Sequence, residues 1–318
     1  MRACAKINLT LRVTGVRADG YHGLRTVFQS LAIHDTLTFG ATRGPFRIEC
    51  NDPQCPTDES NLVWRAASLV WRAAGRRGEP RAVTVRIVKR IPMQSGLGGG
   101  SSDAAAAIRG LGRLWRITLP EALERSVAAR LGADVPFFLD GGTALGLERG
   151  DLLFPLVDFA PTWVTLVIPP FGVSTQDAFG WFDADRVPER LTPSIDRPNR
   201  RRDEGGFFMA STGGRHTRLA RGEYRNDLEA SVAARHPDIS RIARALRRRG
   251  AHYSAMSGSG SSVFGLFTSR ALALQAAVAL SKAGRRAVVT ATVSRTRYAA
   301  LSTPRGLTEE APRPERSA

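Results

Sequence analysis

Along the first half of the chain, apolar and polar positions alternate in short runs, broken by glycine, proline and aspartate. In 3–13, ACAKINLTLRV, the residues Ile7, Leu9, Leu11 and Val13 share one face of an extended chain, which predicts a half-buried strand. The turn-rich segment TGVRADGYHGL (14–24), tightest at Asp19-Gly20, precedes RTVFQSLAIHDTLTFG (25–40), a β-branched and aromatic strand pattern. FRIEC (46–50) predicts a further short strand. In 62–75 the spacing becomes helical: Leu62, Ala66, Leu69 and Ala73 recur on one face, a cap is available between Asp58 and Asn61, and Gly75 stops the run.

AVTVRIVKRI (82–91) alternates again and runs into Pro92, so a strand feeds the glycine-dense stretch PMQSGLGGGSSD (92–103). Ser101 or Ser102, with Asp103, is placed to cap the helix AAAAIRGLGRLW behind it. A second helix is expected over 119–131, ended by Gly132, followed by a loop and short strands in GADVPFFLDGGTALGLERGD. A boundary falls near 150–160, giving an N-terminal unit over 1–158 and a C-terminal unit over 159–302.

The second unit opens with the strand TWVTLVIPP (162–170). Residues 186–222 are rich in Arg, Pro, Gly and Asp and read as a mobile surface insertion. The segment 225–249 predicts a helix with Leu228, Val232, Ile239, Ile242 and Leu246 inward, and 251–267 a strand, a Gly/Ser turn and a strand. Helix 270–283 and strand 286–294 complete the order, and the polar, proline-bearing tail 303–318 is expected to be disordered.

Composition adds charge to this picture. The net charge of +17 directs attention to anionic partners: nucleic acid, a membrane surface or a phosphorylated small molecule. Among the 46 basic residues, only Lys6, Lys89 and Lys282 are lysines. Arginine bias of this kind suits a GC-rich coding composition, so the charge is equally readable as a solvated surface, and Lys6 stands out against it. Cys4, Cys50 and Cys55 show no CxxC pairing and read as reduced thiols. With no signal-type segment and no apolar run near the roughly 18 residues of a membrane span, a cytoplasmic protein is expected.

Four segments carry chemistry. The loop at 92–102 joins a strand to a helix start, where glycines let backbone amides turn inward and the helix adds its own unpaired donors. That arrangement suits phosphate, although it matches neither GxxxxGK[ST] nor GxGxxG; the plain alternative is a tight strand-to-helix turn. Lys6 and Asn8, two apart on a strand, share a face. A lysine there, near a carboxylate, either activates a nucleophile or steadies phosphate charge, or it lies at a wet strand edge. The DGYH turn puts Tyr21 and His22 on a loop where a ring can stack on a base or simply cover the core. Asp134, in GADVPFF, is either a turn cap or a general base. The glycines of MSGSGSSVFGLF (256–267) allow close approach to a ligand or make a hairpin turn.

Taken together, PMQSGLGGGSS, MSGSGSS and the N-terminal strand motif resemble the GHMP family of small-molecule kinases. AKINLTL, RADGYHGLRTVFQSL, GADVPFFL, PPFGVST and NDLE are similar to the branch that acts on a cytidine-diphosphate ester of methylerythritol, in non-mevalonate isoprenoid synthesis. The resemblance implies an α+β, two-domain fold: an N-terminal domain like the second domain of ribosomal S5 and a ferredoxin-like C-terminal domain. It implies ATP with Mg²⁺, whose protein ligands are unassigned among the candidates Ser101, Ser102 and Asp103. It also implies small-molecule partners, with no nucleic acid and no membrane.

By the same resemblance Asp134 is the base, and Lys6 holds it ionised and stabilises the transferring phosphoryl group. Pro92, Met93, Gln94, Ser95, Gly96, Leu97, Gly98, Gly99, Gly100, Ser101 and Ser102 bind ATP. Asn8 contacts the methylerythritol unit, Tyr21 and His22 hold cytosine, and Thr175 lies near the substrate. Kinases of the homoserine or mevalonate type are the nearest alternative, which the DGYH turn argues against. An S5-like RNA-binding protein is the distant one, and the scatter of the arginines argues against it.

Overall fold

In the computed structural model of the chain, residues 1–186, 225–281 and 284–304 are described. Apart from Arg186, Thr303 and Pro304, the expected insertion at 186–222 and the tail 303–318 lie outside them. The two opening strand patterns become one long hairpin, β1 (Arg2–Val16) and β2 (His22–Pro45), interrupted by register shifts. With β3 (Arg47–Cys50), β4 (Arg81–Val88), β5 (Thr143–Glu148) and β6 (Leu152–Pro155) they form a six-stranded sheet ordered β3-β4-β2-β5-β6, with β1 pairing β2.

The helices α1 (Leu62–Ala73), α2 (Gly99–Leu114), α3 (Glu121–Leu131) and α4 (Phe137–Asp140) share one hydrophobic core with this sheet. Asn61 caps α1 by accepting from the Val63 amide at 2.8 Å, as the capping signal predicted. The inward face is rotated from the expected stripe. Val63, Ala66, Ala67, Val70 and Trp71 are buried, while Leu62, Leu69 and Ala73 pack only partly.

A second, four-stranded sheet is ordered β10-β7-β9-β8, from β7 (Trp163–Ile168), β8 (Tyr253–Met256), β9 (Val263–Phe267) and β10 (Arg286–Ala291). Its core includes residues of α5 (Thr175–Asp185), α6 (Glu229–Arg235), α7 (Asp238–Arg248) and α8 (Arg270–Leu280). The single helix expected over 225–249 is two, parted at His236-Pro237. Proline has no amide hydrogen to continue the ladder and displaces the preceding residue from helical geometry. All five apolar positions singled out in this segment are nonetheless buried. The final helix α9 (Arg295–Ser302) has no counterpart in the sequence reading, and it returns Tyr298 to the first core, where its hydroxyl donates to Phe138 O at 2.6 Å.

A third cluster joins the two sheets. Ala5, Ile7, Leu9, Val27, Leu31, Ile91 and Leu97 pack against Val164, Leu166, Ile168, Ala255, Phe264 and Leu266. β1 is therefore apolar on the face carrying Ile7 and Leu9 and polar on the face carrying Lys6, Asn8 and Thr10, yet both faces are buried. Leu97 is wholly buried in this seam, a contribution of about 1.5–3 kcal/mol that pins the middle of the glycine loop to the junction of the sheets.

Candidate active site

The glycine loop is bonded on one side only. The carbonyls of Pro92, Ser95, Gly96, Leu97 and Gly98 accept from Ser95 Oγ, Ser262 N, Ser257 Oγ, Lys6 N and Ser102 N respectively, at 2.6–3.1 Å. The amides of 94–101 donate to no acceptor among the described residues. Carbonyls turned into the protein and amides turned away make a backbone nest, continued by the free N–H groups at the start of α2.

The glycines are required by geometry at two points. Gly96 (φ +76°) passes so close to Ser257 O that an added Cβ would stand 2.0 Å from it. Gly98 (φ +71°) would place a Cβ 2.7 Å from the Phe138 ring and 3.1 Å from Lys6 Cγ. Gly98 is itself the N-cap of α2, so the helix begins at Gly99, earlier than predicted. Ser101, Ser102 and Asp103 lie inside its first turns and do not cap it.

Lys6 is not at a wet strand edge. Its side chain is 4% exposed, its Nζ donates to Asn8 Oδ1 at 2.6 Å, and the same Nζ lies 3.2 Å from Asp134 Oδ2. Asn8 Nδ2 donates to Thr26 Oγ1, which donates to Thr10 O, both at 2.7 Å, so the amide is locked in orientation. Asp134 is one-third exposed and makes no helix cap: α3 ends at Gly132, and Pro136 opens α4 without a side-chain cap. The loop between β8 and β9 closes the group from the other side. Gly258 lies where a Cβ would be 3.3 Å from Lys6 Nζ and 3.2 Å from Asn8 Oδ1. It serves both as a hairpin turn and as a close backbone approach.

Residues outside the sequence-derived set hold that second loop. Asn226 Nδ2 donates to Met256 O and Gly258 O at 2.9 and 2.8 Å, and Glu229 Oε2 accepts from Met256 N at 2.8 Å. Burial raises the Glu229 carboxyl above the usual range, against the pull of the Met256 amide. Ser257 Oγ joins the two loops through Gly96 O. The NDLE motif carried the signal for Asn226 and Glu229; Ser257 is one serine among several in a Gly/Ser turn and had none.

Beneath α2, Lys89 Nζ is held between Asp35 Oδ2 (2.5 Å) and Asp103 Oδ2 (2.8 Å), all three side chains 5% exposed or less. Asp35 Oδ1 also accepts from the amides of Arg90 and Ile91. Burial pushes the Asp103 carboxyl up to about 7 although Lys89 draws it down. The scarcity of lysine was the available signal for Lys89, and Asp35 is the charged residue interrupting a strand pattern.

Thr175 opens α5 and meets Ser259 at 3.2 Å between hydroxyl oxygens, beside the second loop. Tyr21 and His22 form a separate group at the far end of the hairpin. Tyr21 is exposed beneath the Arg149 guanidinium, 5.4 Å from its ring centroid. His22 begins β2 and is stacked on Phe179 of α5 at 4.7 Å.

The comparisons with known proteins agree with this geometry. The chain matches the GHMP kinases N terminal domain over residues 61–142 and the GHMP kinases C terminal over 209–286. It is 40% identical to a 4-diphosphocytidyl-2-C-methyl-D-erythritol kinase of Moorella thermoacetica, over 92% of this chain and 98% of that one. It is 42% identical to the kinase of the same name from Solibacter usitatus, over 95% and 90%. A crystal structure of 4-(cytidine 5'-diphospho)-2C-methyl-D-erythritol kinase superposes with a TM-score of 0.70 at 34% identity, covering 92% of this chain and 98% of that one. Homoserine kinase from Cytophaga hutchinsonii shares the fold at a TM-score of 0.60 and 18% identity, covering 92% and 96%. The chain belongs to the GHMP kinase family, in the branch of the 4-diphosphocytidyl-2-C-methyl-D-erythritol kinases.

Proposed function

We propose that this chain transfers the γ-phosphoryl group of ATP to the 2-hydroxyl of 4-diphosphocytidyl-2-C-methyl-D-erythritol, giving the 2-phosphate and ADP. The observation that carries the reading is the one-sided bonding of the glycine loop, whose amides over 94–101 stay free to take phosphate oxygens. Phosphoryl transfer through a loose transition state asks mainly for positioning and charge neutralisation. Amides fixed by their own carbonyl bonds provide both without reorganising.

Asp134 accepts the proton of the tertiary hydroxyl as that oxygen bonds to phosphorus. Lys6, 3.2 Å away, pairs with the carboxylate and stands ready for the charge on the transferring group. Asn8 fixes Lys6 Nζ through Oδ1 and offers the methylerythritol unit a rigid neighbour. Thr175 borders the substrate, and Tyr21 with His22 takes the cytosine.

The uncommitted side-chain oxygens beside the loop, among the described residues, include the Ser101 and Ser102 hydroxyls and Asp134 Oδ1; Ser102 Oγ is buried without a partner. Asp103 Oδ1 is likewise buried without a partner, while Lys89 holds its Oδ2. An all-oxygen set suits Mg²⁺, which when bound with ATP supplies charge neutralisation on the phosphates.

The test is ADP release with the cytidine substrate, homoserine and mevalonate in parallel. Turnover confined to the cytidine substrate supports the reading; turnover confined to homoserine or mevalonate refutes it.

A further inference from the structure

His22 is held in a fixed setting by one face of α5. Phe179, Phe182 and Asp183 follow at helical spacing, so all three side chains meet the imidazole. Phe179 stacks on it at 4.7 Å and 22°, and Phe182 meets its edge at 6.3 Å and 81°. Asp183 Oδ1 lies 2.8 Å from Nε2. The stacked ring fixes the imidazole plane, and the carboxylate fixes its rotation within that plane. None of this was legible in the sequence, where Asp183 is an ordinary acid at the edge of an arginine-rich stretch.

A carboxylate can only accept, so Nε2 must carry the hydrogen, and in the neutral ring Nδ1 is then an acceptor. Nδ1 has no partner among the described residues, nor is it among the buried side-chain atoms sealed without one. It is open to a ligand. Cytosine presents an amino group at position 4, a donor; uracil presents a carbonyl oxygen there, an acceptor. The Nδ1 lone pair attracts the first and repels the second.

We propose that Asp183 sets the tautomer of His22 and thereby makes the site select cytosine over uracil. The inference rests on the cytosine placement in the proposed function and adds the residue that decides which base is accepted. Asp183 acts through His22 and is a positioning residue. Its side chain is 51% exposed, so alanine there removes the carboxylate without opening the core.

The experiment measures kcat/KM of the full chain for the cytidine substrate and for its uridine analogue, in the wild type and in Asp183→Ala. In parallel, long-range ¹H–¹⁵N spectra at alkaline pH report the His22 tautomer. The wild type should show Nε2–H and a cytidine preference. D183A should show mixed tautomers and a preference about 5- to 150-fold smaller, the range one unpaired polar contact carries. A wild-type Nδ1–H tautomer, or an unchanged preference in D183A, overturns the role of Asp183 while turnover of the cytidine substrate keeps the proposed function standing. A wild type inert toward the cytidine substrate overturns both the proposed function and the selectivity.

Discussion

Alanine at Gly98 and alanine at Gly100 change the same atom two residues apart and should have opposite outcomes. At Gly98 the backbone is left-handed (φ +71°), which costs an L residue about 1–2 kcal/mol. The new Cβ would also press on the Phe138 ring at 2.7 and 2.9 Å and on Lys6 Cγ at 3.1 Å, in a place where neither can withdraw freely. Overpacking of that kind adds about 1–3 kcal/mol, so the total is about 2–5 kcal/mol. At Gly100 the nearest atom is Leu62 Cδ1 at 3.7 Å, an ordinary contact, and the residue lies in the first turn of α2, where alanine is favoured over glycine by up to about 1 kcal/mol. Differential scanning fluorimetry and ATP titration in a coupled ADP assay separate the two. G98A should lower Tm by several degrees or raise the KM for ATP several-fold, whereas G100A should keep Tm at or above that of the wild type. G98A indistinguishable from the wild type in both measurements, or G100A as damaging as G98A, would refute the geometry given for the loop.

Asp134→Asn should lower kcat by about 10²–10⁴-fold, the usual worth of a positioned base, with ATP affinity nearly retained; collapse of ATP affinity with kcat intact would make Asp134 structural. Tyr21→Ala should raise the KM for the cytidine substrate through loss of a stacking contact of about 1–3 kcal/mol, and an unchanged KM removes Tyr21 from the site. Glu229, raised by burial, binds its proton more tightly folded than unfolded. Its contribution to stability is therefore full below its ordinary value near 4.5 and is lost as pH rises through the raised folded value. Tm measured against pH should show this fall in the wild type and lose that component in Glu229→Gln; identical profiles would refute it.

Elements with strong periodicity are legible in the sequence. The hairpin strands, the capped α1, the strand–loop–helix around the glycines and the β8–β9 hairpin all follow from local pattern, because local chemistry alone determines them. Where two local rules competed, the sequence misled. The serines and aspartate after Gly100 look like caps, but a left-handed Gly98 starts α2 earlier and draws them into the helix. Pro237 breaks a run whose apolar spacing continues across it.

The site divides the same way. The loop and Lys6 were singled out for phosphate, Asn8 as sharing the face of Lys6, and Asp134 as a turn cap or base; they prove to be neighbours in space. Other contacts around the site join residues far apart along the chain: Asp183 on His22 is 161 residues away, and Ser257 on Gly96 also 161. No periodicity or spacing encodes such pairs, because they exist only once the two sheets have packed.

The central claim, phosphorylation of a tertiary hydroxyl, is tested most directly by ³¹P NMR of the product formed from ATP and the cytidine substrate. The carbon bearing the methyl group and the 2-hydroxyl carries no hydrogen. The account predicts one new phosphomonoester signal without proton coupling, appearing together with ADP, while the two diphosphate resonances of the cytidine substrate persist. A proton-coupled phosphomonoester, which marks a primary or secondary hydroxyl, or inorganic phosphate in place of any new ester, would contradict it.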